Sequence, residues 1–332
     1  MSHITYPLQP TPYNLVVIIP ALNEAKTIGS VIAAIPRTIP GISSIQTLVV
    51  NDGSTDTTEL IAKQAGAIVV SHHAPQGVGA AFHTALKHAL TMGADIIVNV
   101  DADGQFNPGD IPTLIQPMLQ TSAGFVTASR FTGKTPELDM PAAKKWGNKW
   151  VTRMVNFITG KQFTDVSCGF RAYSRETALR LTLFGKFTYT QETLIDAVFK
   201  DIEIVEVPLT VRAQREHGAS RVASNLWRYA AKSASIMLRT ARDWRPFYFF
   251  GVPGALLALL GAGAGAFLLV HYILTGHTAP YRSLVTVSGI ALIIGFLLLF
   301  ISMLADMQQR NRLVLEKILY LTRKDAYGRG QK

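Results

Sequence analysis

The run Val98-Asn99-Val100-Asp101-Ala102-Asp103-Gly104-Gln105 holds the residues best suited to chemistry. An apolar stretch of strand type, Ile96 to Val100, ends abruptly in two carboxylates one residue apart, followed by a glycine, an amide side chain and then Pro108. Side chains alternate along an extended backbone, but the chain leaves the strand here, so Asp101 and Asp103 can both face one ligand. Hard oxygen donors in an incomplete set suit Mg²⁺ or Mn²⁺ shared with substrate phosphates. The plainer alternative is a turn pair, since Asp and Gly both favour turns, and this stretch alone leaves both readings open.

Hydrophobic patterning identifies the elements that must position these acids. Leu15 to Ile19 is a short apolar run closed by Pro20, and Asn23 and Glu24 open a helical pattern that stops at Pro36. Ile45 to Val50 reads as a second strand ending in Asn51-Asp52-Gly53, with helix following to about Ala65. A third strand at Ala67 to Val70, a helix from Gly77 to Met92 and a fourth strand at Asp95 to Val100 continue the alternation. Strand and helix in turn predict a doubly wound, mostly parallel α/β sheet, in which ligands bind outside the carboxyl ends of the strands. Asn23-Glu24, Asn51-Asp52 and Asp101-Ala102-Asp103 all fall at such ends. A pocket this acidic repels a nucleotide unless a cation intervenes. No G-x-G-x-x-G follows the first strand and no G-x-x-x-x-G-K-[ST] occurs, so the pattern predicts a nucleotide site with a metal rather than a dinucleotide cradle.

The chain has 332 residues, 48% of them hydrophobic, and the apolar excess gathers near the C-terminus. Phe247 to Leu274 and Leu284 to Leu304 contain no Asp, Glu, Lys or Arg, and each exceeds the ~18 to 20 apolar residues that cross a bilayer as helix. Two transmembrane helices are therefore expected. The first residues, MSHITYPLQPTPYN, lack the basic and apolar regions of a secretory signal. Lys232, Arg239, Arg242 and Arg245 precede the first span, Arg310, Arg312, Lys317, Arg323 and Lys324 follow the second, and only Arg282 lies between them. By the positive-inside rule this predicts an integral membrane protein with its catalytic domain and both termini cytoplasmic, the prokaryotic plasma membrane being the expected setting. The single Cys168 excludes an intrachain disulfide. The net charge of +10 lies largely beside the spans, where the headgroups of membrane lipids are the nearest partner. No interleaving of basic and aromatic residues suited to base stacking is read in the sequence, so nucleic acid is not expected as a partner.

The segments V-V-I-I-P-A-L-N-E (16–24), V-V-N-D-G-S-T-D-T-T (49–58), D-A-D-G-Q (101–105), A-S-R (128–130) and S-C-G-F-R-A-Y-S-R (167–175) together resemble an inverting family 2 glycosyltransferase of GT-A fold. More narrowly, they resemble the polyprenyl-phosphate glycosyltransferases, which include dolichyl-phosphate mannose synthases and undecaprenyl-phosphate sugar transferases. The resemblance covers about residues 14–222. It implies that Pro20, Leu22 and Glu24 line the nucleoside, that Asp52 reads the base or ribose, and that Asp101 and Ala102 lie beside the nucleotide. It further implies that Asp103 and Gln105 are the divalent-metal ligands and that Arg130 lies near the donor diphosphate or the acceptor phosphate. Many relatives carry a Lys between two glycines where this chain has Val78, so a phosphate contact from that position is absent.

In the acceptor half, residues 132–149 read as a mobile polar loop over the site, in which Lys144 and Lys145 match a basic pair seen near the acceptor in relatives. A strand at Glu203 to Val211 precedes Arg215-Glu216-His217-Gly218-Ala219-Ser220-Arg221, which resembles the family's R-x-x-G-x-S-[KR] segment. That resemblance implies a lipid-phosphate site at Arg215, Ser220 and Arg221, where arginine supplies forked donors that lysine lacks. Ser220 to Trp244 reads as an amphipathic helix with Arg221, Arg228, Lys232 and Arg239 on one arc, suited to lie in the membrane interface. Gly261 and Gly265 form a G-x-x-x-G in the first span, a motif of helix contact and through it of homo-oligomers.

The expected organisation is thus an N-terminal tail (1–13), a GT-A catalytic domain (14–219), a juxtamembrane amphipathic helix (220–246), two transmembrane helices (about 247–274 and 284–304) and a basic tail (305–332). The implied reaction moves a sugar from GDP-mannose or a UDP-hexose to dolichyl or undecaprenyl phosphate. A phosphate monoester has a second pKa of ~6, so it is already a nucleophilic dianion and no general base is required. Glu192 is the candidate acid near the acceptor. Two alternatives remain open on the residues: transfer to a lipid hydroxyl such as that of diacylglycerol, which does need a base, and a noncatalytic membrane scaffold that binds nucleotide sugar. A processive polysaccharide synthase fits less well, because no Q-x-x-R-W occurs.

Overall fold

A computed structural model of the chain describes residues 12–131, 142–183, 189–209, 238–239 and 242–328. Seven strands form one mixed sheet: β1 (Tyr13–Ala21), β2 (Ile42–Asn51), β3 (Ile68–Ser71), β4 (Ile96–Asn99), β5 (Phe125–Ser129), β6 (Arg171–Ser174) and β7 (Ile204–Pro208). Their order across the sheet is β3-β2-β1-β4-β6-β5-β7. The helices between and beside these strands are α1 (Ile28–Ala33), α2 (Thr58–Gln64), α3 (Val78–Thr91), α4 (Ile111–Gln120), α5 (Ala142–Thr159), α6 (Arg175–Arg180) and α7 (Thr190–Phe199). Leu15 through Ile19 are all buried, as are Ile96, Ile97 and Val98. Helices cover both faces of the central strands, so these read as unbroken apolar runs instead of alternating ones.

The expected doubly wound, mostly parallel sheet is present, with one reversal. β1 pairs in parallel with β2 and β4, and β5 with β7, whereas β6 runs antiparallel to both β4 and β5. The carboxyl ends of β1, β2, β4 and β5 therefore share one edge of the sheet with the start of β6, where Asn99 and Thr127 both stand opposite Arg171.

Two expected boundaries shift. Regular helix begins at Ile28 rather than at Asn23-Glu24, because Asn23 takes a left-handed backbone (φ 52°) and binds the neighbouring loop, leaving Glu24 to Thr27 as the lead-in turn. The segment 132–149 is not wholly a loop: from Ala142 onward it forms the first turns of α5, whose inward face buries Val151, Val155 and Ile158.

Contacts divide the chain into two units, residues 1–231 with 320–332, and residues 232–319. The second contains α8 (Val252–Thr275), entered through a wide turn at Phe247–Gly251, and most of α9 (Arg282–Gly328). Among the described residues, Phe247–Thr275 and Arg282–Gly328 are the two helical stretches long and apolar enough to cross a membrane. The basic segment after the second expected span continues α9 as far as Gly328.

Small residues make the seam between α8 and α9. Gly254, Gly261 and Leu268 are buried on one helix, and Ser288, Gly295 and Ser302 on the other, in each case at intervals of seven. A Cβ on Gly254 would lie 2.9 Å from the Gly295 carbonyl oxygen, and one on Gly295 would lie 2.5 Å from the Ala258 nitrogen. Bare backbone lets the helices approach closely, as in tightly packed spans generally. Gly261 belongs to this seam, against Ser288 and Leu292, while open space surrounds Gly265. The expected G-x-x-x-G is therefore divided, with its first glycine used inside the chain.

Candidate active site

The sheet edge gathers the acids as the sequence predicts. Pro20 and Ala21 end β1, and the following loop is tied to the loop after β2 by reciprocal bonds. The Asn23 N–H donates to Ser54 Oγ (2.9 Å), the Thr55 N–H to Asn23 Oδ1 (2.8 Å) and the Glu24 N–H to Thr58 Oγ1 (2.8 Å). Leu22 and Glu24 are half-buried. Asp56 braces the same junction, accepting from the Thr58 N–H and the Ala25 N–H. Burial pushes its carboxyl up, but the hydrogen bonds from Thr58 outweigh this and hold it below the usual range.

Asp52, at the end of β2, is almost fully buried. Its Oδ1 meets His72 Nδ1 (2.7 Å) and accepts the Gln76 N–H (2.9 Å), and its Oδ2 accepts the Gly77 N–H (2.8 Å). His72 Nε2 lies 3.0 Å from Thr84 Oγ1 on α3, so the ring bridges Asp52 to that helix. Gly53 (φ 73°) is required here, since a Cβ would sit 2.7 Å from the backbone of Ala74 and Pro75. The carboxylate expected to read the nucleoside thus also pins residues 72–77 against the end of β2.

The D-A-D-G-Q turn follows β4. Ala102 and Asp103 are buried, Asp101 and Gln105 half-buried, and Asp103 Oδ1 accepts the Gln105 N–H at 3.1 Å. Gly104 takes φ 72°, the left-handed geometry that turns Gln105 back toward Asp103. The turn alternative is thus realised, and the turn stands at the edge of the sheet where β4 ends. Asp101 is shaped from across the sheet: a Cβ at Gly169, just before β6, would lie 2.6 Å from Asp101 Oδ2. Beneath the turn, Asn99 Nδ2 donates to the Gly169 carbonyl (2.8 Å) and to the Tyr189 hydroxyl (2.8 Å). Among the described residues no three His, Cys, Asp or Glu side chains close into a metal cage. Asp103 and Gln105 offer oxygen donors that suit a Mg²⁺ or Mn²⁺ taking its further ligands from substrate.

Arg130 follows β5 and is held by an acid that the sequence reading did not single out. Its Nε donates to Asp165 Oδ2 (2.6 Å) and its Nη2 to Asp165 Oδ1 (2.9 Å) and Ser167 Oγ (2.7 Å). Burial alone would lower the Arg130 pKa, but Asp165 more than reverses this, and the charge of Asp101 adds to the rise. Asp165 is fully buried, which by itself raises its pKa, yet Arg130 holds it below the usual value. The signal available in the sequence was an acid two residues before the S-C-G-F-R stretch. Cys168, in the same stretch, is fully buried and its thiol is pushed up to about 12 by burial and by Asp165, so it is inert as a nucleophile.

Glu192 lies in the first turn of α7, half-buried, beside fully engaged Thr193. Arg171 ties this helix to the Asp165 segment: its Nη1 donates to the Thr190 carbonyl (2.5 Å) and its Nη2 to the Val166 carbonyl (3.0 Å). Lys145 is exposed on the first turn of α5, and Lys144 precedes it there. Arg215, Ser220 and Arg221, with most of the expected amphipathic helix, lie outside the described residues.

Residues 16–181 match the family described as Glycosyl transferase family 2. The chain is 32% identical over 212 residues to the UDP-N-acetylglucosamine–dolichyl-phosphate N-acetylglucosaminyltransferase of Methanococcus voltae, a match spanning 58% of this chain and 83% of that protein. It is 28% identical over 228 residues to the polyprenol monophosphomannose synthase of Mycolicibacterium smegmatis, spanning 66% of this chain and 84% of the relative. Among solved structures, glucosyl-3-phosphoglycerate synthase from Mycobacterium tuberculosis, in complex with Mn²⁺, UDP and phosphoglyceric acid, superposes with a TM-score of 0.55 at 25% identity, covering 69% of this chain and 78% of that one.

Proposed function

Because the chain belongs to glycosyl transferase family 2 and is a glycosyltransferase, we propose that it transfers a sugar from a nucleotide sugar, GDP-mannose or a UDP-hexose, to a polyprenyl phosphate, with inversion and at the cytoplasmic face of a membrane. The observation that carries this reading is the acid-lined edge formed by Asp52, Asp101 and Asp103 in a chain that also bears two helices of bilayer length. The names of the two relatives support the acceptor class, and they differ in sugar, N-acetylglucosamine in one and mannose in the other, so both donors are carried in this reading.

In this reading Pro20, Leu22, Glu24 and Asp52 hold the nucleoside, and Asp101 and Ala102 border the sugar diphosphate. Asp103 and Gln105 would hold a Mg²⁺ or Mn²⁺, which when bound would supply positive charge toward the departing diphosphate. Arg130 adds a second, fixed positive charge whose direction is set by Asp165. Preorganised charge of this kind acts without reorganising during the reaction. Arg215, Ser220 and Arg221, with Lys144 and Lys145, bind the acceptor phosphate, whose dianionic oxygen attacks the anomeric carbon. A single displacement at that carbon inverts it.

The test is turnover by the purified full chain with Mg²⁺ or Mn²⁺, a panel of labelled nucleotide sugars, and undecaprenyl or dolichyl phosphate. Formation of a lipid-linked sugar is expected. A folded protein that glycosylates no lipid phosphate but does glycosylate diacylglycerol would replace this reading with the lipid-hydroxyl one.

A further inference from the structure

The outward face of α5 has a composition that its position in the fold does not explain. Val151, Val155 and Ile158 fill the inward face, while Trp146 is 71% exposed, Trp150 38% and Phe157 82%. Within residues 12–209, these three are the exposed Trp and Phe side chains among the described residues, and all of them stand on this one helix. At about 100° per residue, Lys145, Lys149 and Arg153 fall at about 0°, 40° and 80°, and Trp146, Phe157 and Trp150 at about 100°, 120° and 140°. The helix AAKKWGNKWVTRMVNFIT contains no acid. The exposed arc is thus divided lengthwise into a cationic strip and an aromatic strip.

We propose that this face of α5 docks on an anionic lipid bilayer surface, with Trp146, Trp150 and Phe157 in the headgroup region and Lys149 and Arg153 against lipid phosphates. Exposed aromatic rings lose water contact most favourably at the boundary between headgroups and acyl chains. Cations beside them are attracted by the surface potential of acidic lipids. A helix with an apolar inner face, an aromatic strip and a cationic strip matches both demands at once. The proposal deepens the polyprenyl-phosphate reading and rests on it only for the consequence drawn for acceptor KM.

The full chain carrying Phe157→Cys, labelled with an environment-sensitive maleimide fluorophore, is reconstituted in phosphatidylglycerol or phosphatidylcholine vesicles. Cys168 is fully buried, so the label goes to the new site. Leu60→Cys on α2, where Leu60 is 55% exposed, serves as the reference position. The label at 157 is expected to be quenched by lipids bearing a nitroxide near the headgroup and shielded from aqueous iodide, more strongly in phosphatidylglycerol, while the label at 60 stays open to iodide. Equal iodide quenching at both positions would overturn the proposal. So would shielding at 157 that is indifferent to the lipid quencher, which would assign the face to a protein or nucleic-acid partner. These readouts need no turnover, so they stand apart from the fate of the glycosyl-transfer reading. Where turnover is measured, the combined Trp146→Ala, Trp150→Ala and Phe157→Ala substitutions should raise acceptor KM in vesicles by about tenfold, with kcat and donor KM unchanged and no effect in detergent. An equal effect in detergent and in vesicles would also count against membrane docking.

Discussion

Arg130 and Asp165 form a buried two-point pair, Nε to Oδ2 at 2.6 Å and Nη2 to Oδ1 at 2.9 Å, that joins the end of β5 to the loop entering β6. The guanidinium is therefore aimed before any substrate arrives. Replacing Asp165 by Ala leaves a buried cation without its counter-charge, at a cost of about 3–5 kcal/mol. The unfolding temperature should fall accordingly, and Arg130→Lys should not reproduce the wild type because an ammonium lacks the planar fork that fixes both bonds and the further one to Ser167. The Asp165 carboxyl lies below its ordinary 3.8 in the folded protein. Its contribution to stability is thus complete above about pH 4–5 and is lost as pH falls through the folded pKa. The stability gap between wild type and Asp165→Asn, measured by unfolding from pH 7 down to pH 3, should narrow once the pH falls below about 4.

Asp103→Ala should abolish most turnover while leaving the fold intact. A loss of about a hundredfold or more in kcat is expected for removing charge stabilisation from the reaction centre. Chelation by EDTA should silence the wild type, and added Mg²⁺ or Mn²⁺ should restore it. Activity that survives prolonged chelation would exclude the metal role given to Asp103 and Gln105.

Gly169→Ala tests the contact across the sheet. The added methyl would need to occupy space 2.6 Å from Asp101 Oδ2, so the Asp101 carboxylate must move from its present position. Donor KM should rise and kcat should fall together. A variant with wild-type kinetics and stability would show that Asp101 does not need its present position.

His72→Ala removes one of the donors that align Asp52. A hydrogen bond to a charged group contributes about 1.5–3 kcal/mol, so donor KM should rise by about tenfold or more with acceptor KM unchanged. His72→Asn, which retains an N–H donor, should recover part of the loss. Equal changes in both KM values would locate the effect in general stability instead.

Glu192→Gln separates a phosphate nucleophile from a hydroxyl one. With a phosphate acceptor that ionises near pH ~6, kcat/KM should rise through that pH and then level off in wild type and variant alike. Loss of most activity in Glu192→Gln, together with loss of a basic limb, would point to a general base and hence to a lipid-alcohol acceptor.

Much of the edge was legible because each acid directly follows an apolar strand: Asp52 after Val49-Val50 and Asp101 after Val98-Asn99-Val100. Hydrophobic period reveals that a strand exists but not which neighbour it joins, so the insertion of β6 between β4 and β5 could not be read from Arg171 to Ser174. For the same reason the sequence does not reveal Asp165 as the partner of Arg130, which is 35 residues away in the chain. Residues 142–149 looked like loop because Gly147 and a run of lysines hide the inward apolar positions, which begin only at Val151. Asp52 was identified by position, but its saturation by His72, Gln76 and Gly77 depends on a loop that folds back over Gly53.

The reversal of β6 also redistributes where the chain tolerates change. In a wholly parallel sheet, segments entering strands lie on the far edge and can lengthen or shorten without touching ligand chemistry. Here the entry to β6, from Asp165 through Gly169, stands on the ligand edge, and its exit at Ser174-Arg175 stands on the opposite one. An insertion before Arg171 would therefore be felt in the chemistry, whereas one between Ser174 and α6 would be felt only in folding. Diversification of donor or acceptor choice in chains built this way has an inlet that the strand-to-helix loops do not provide.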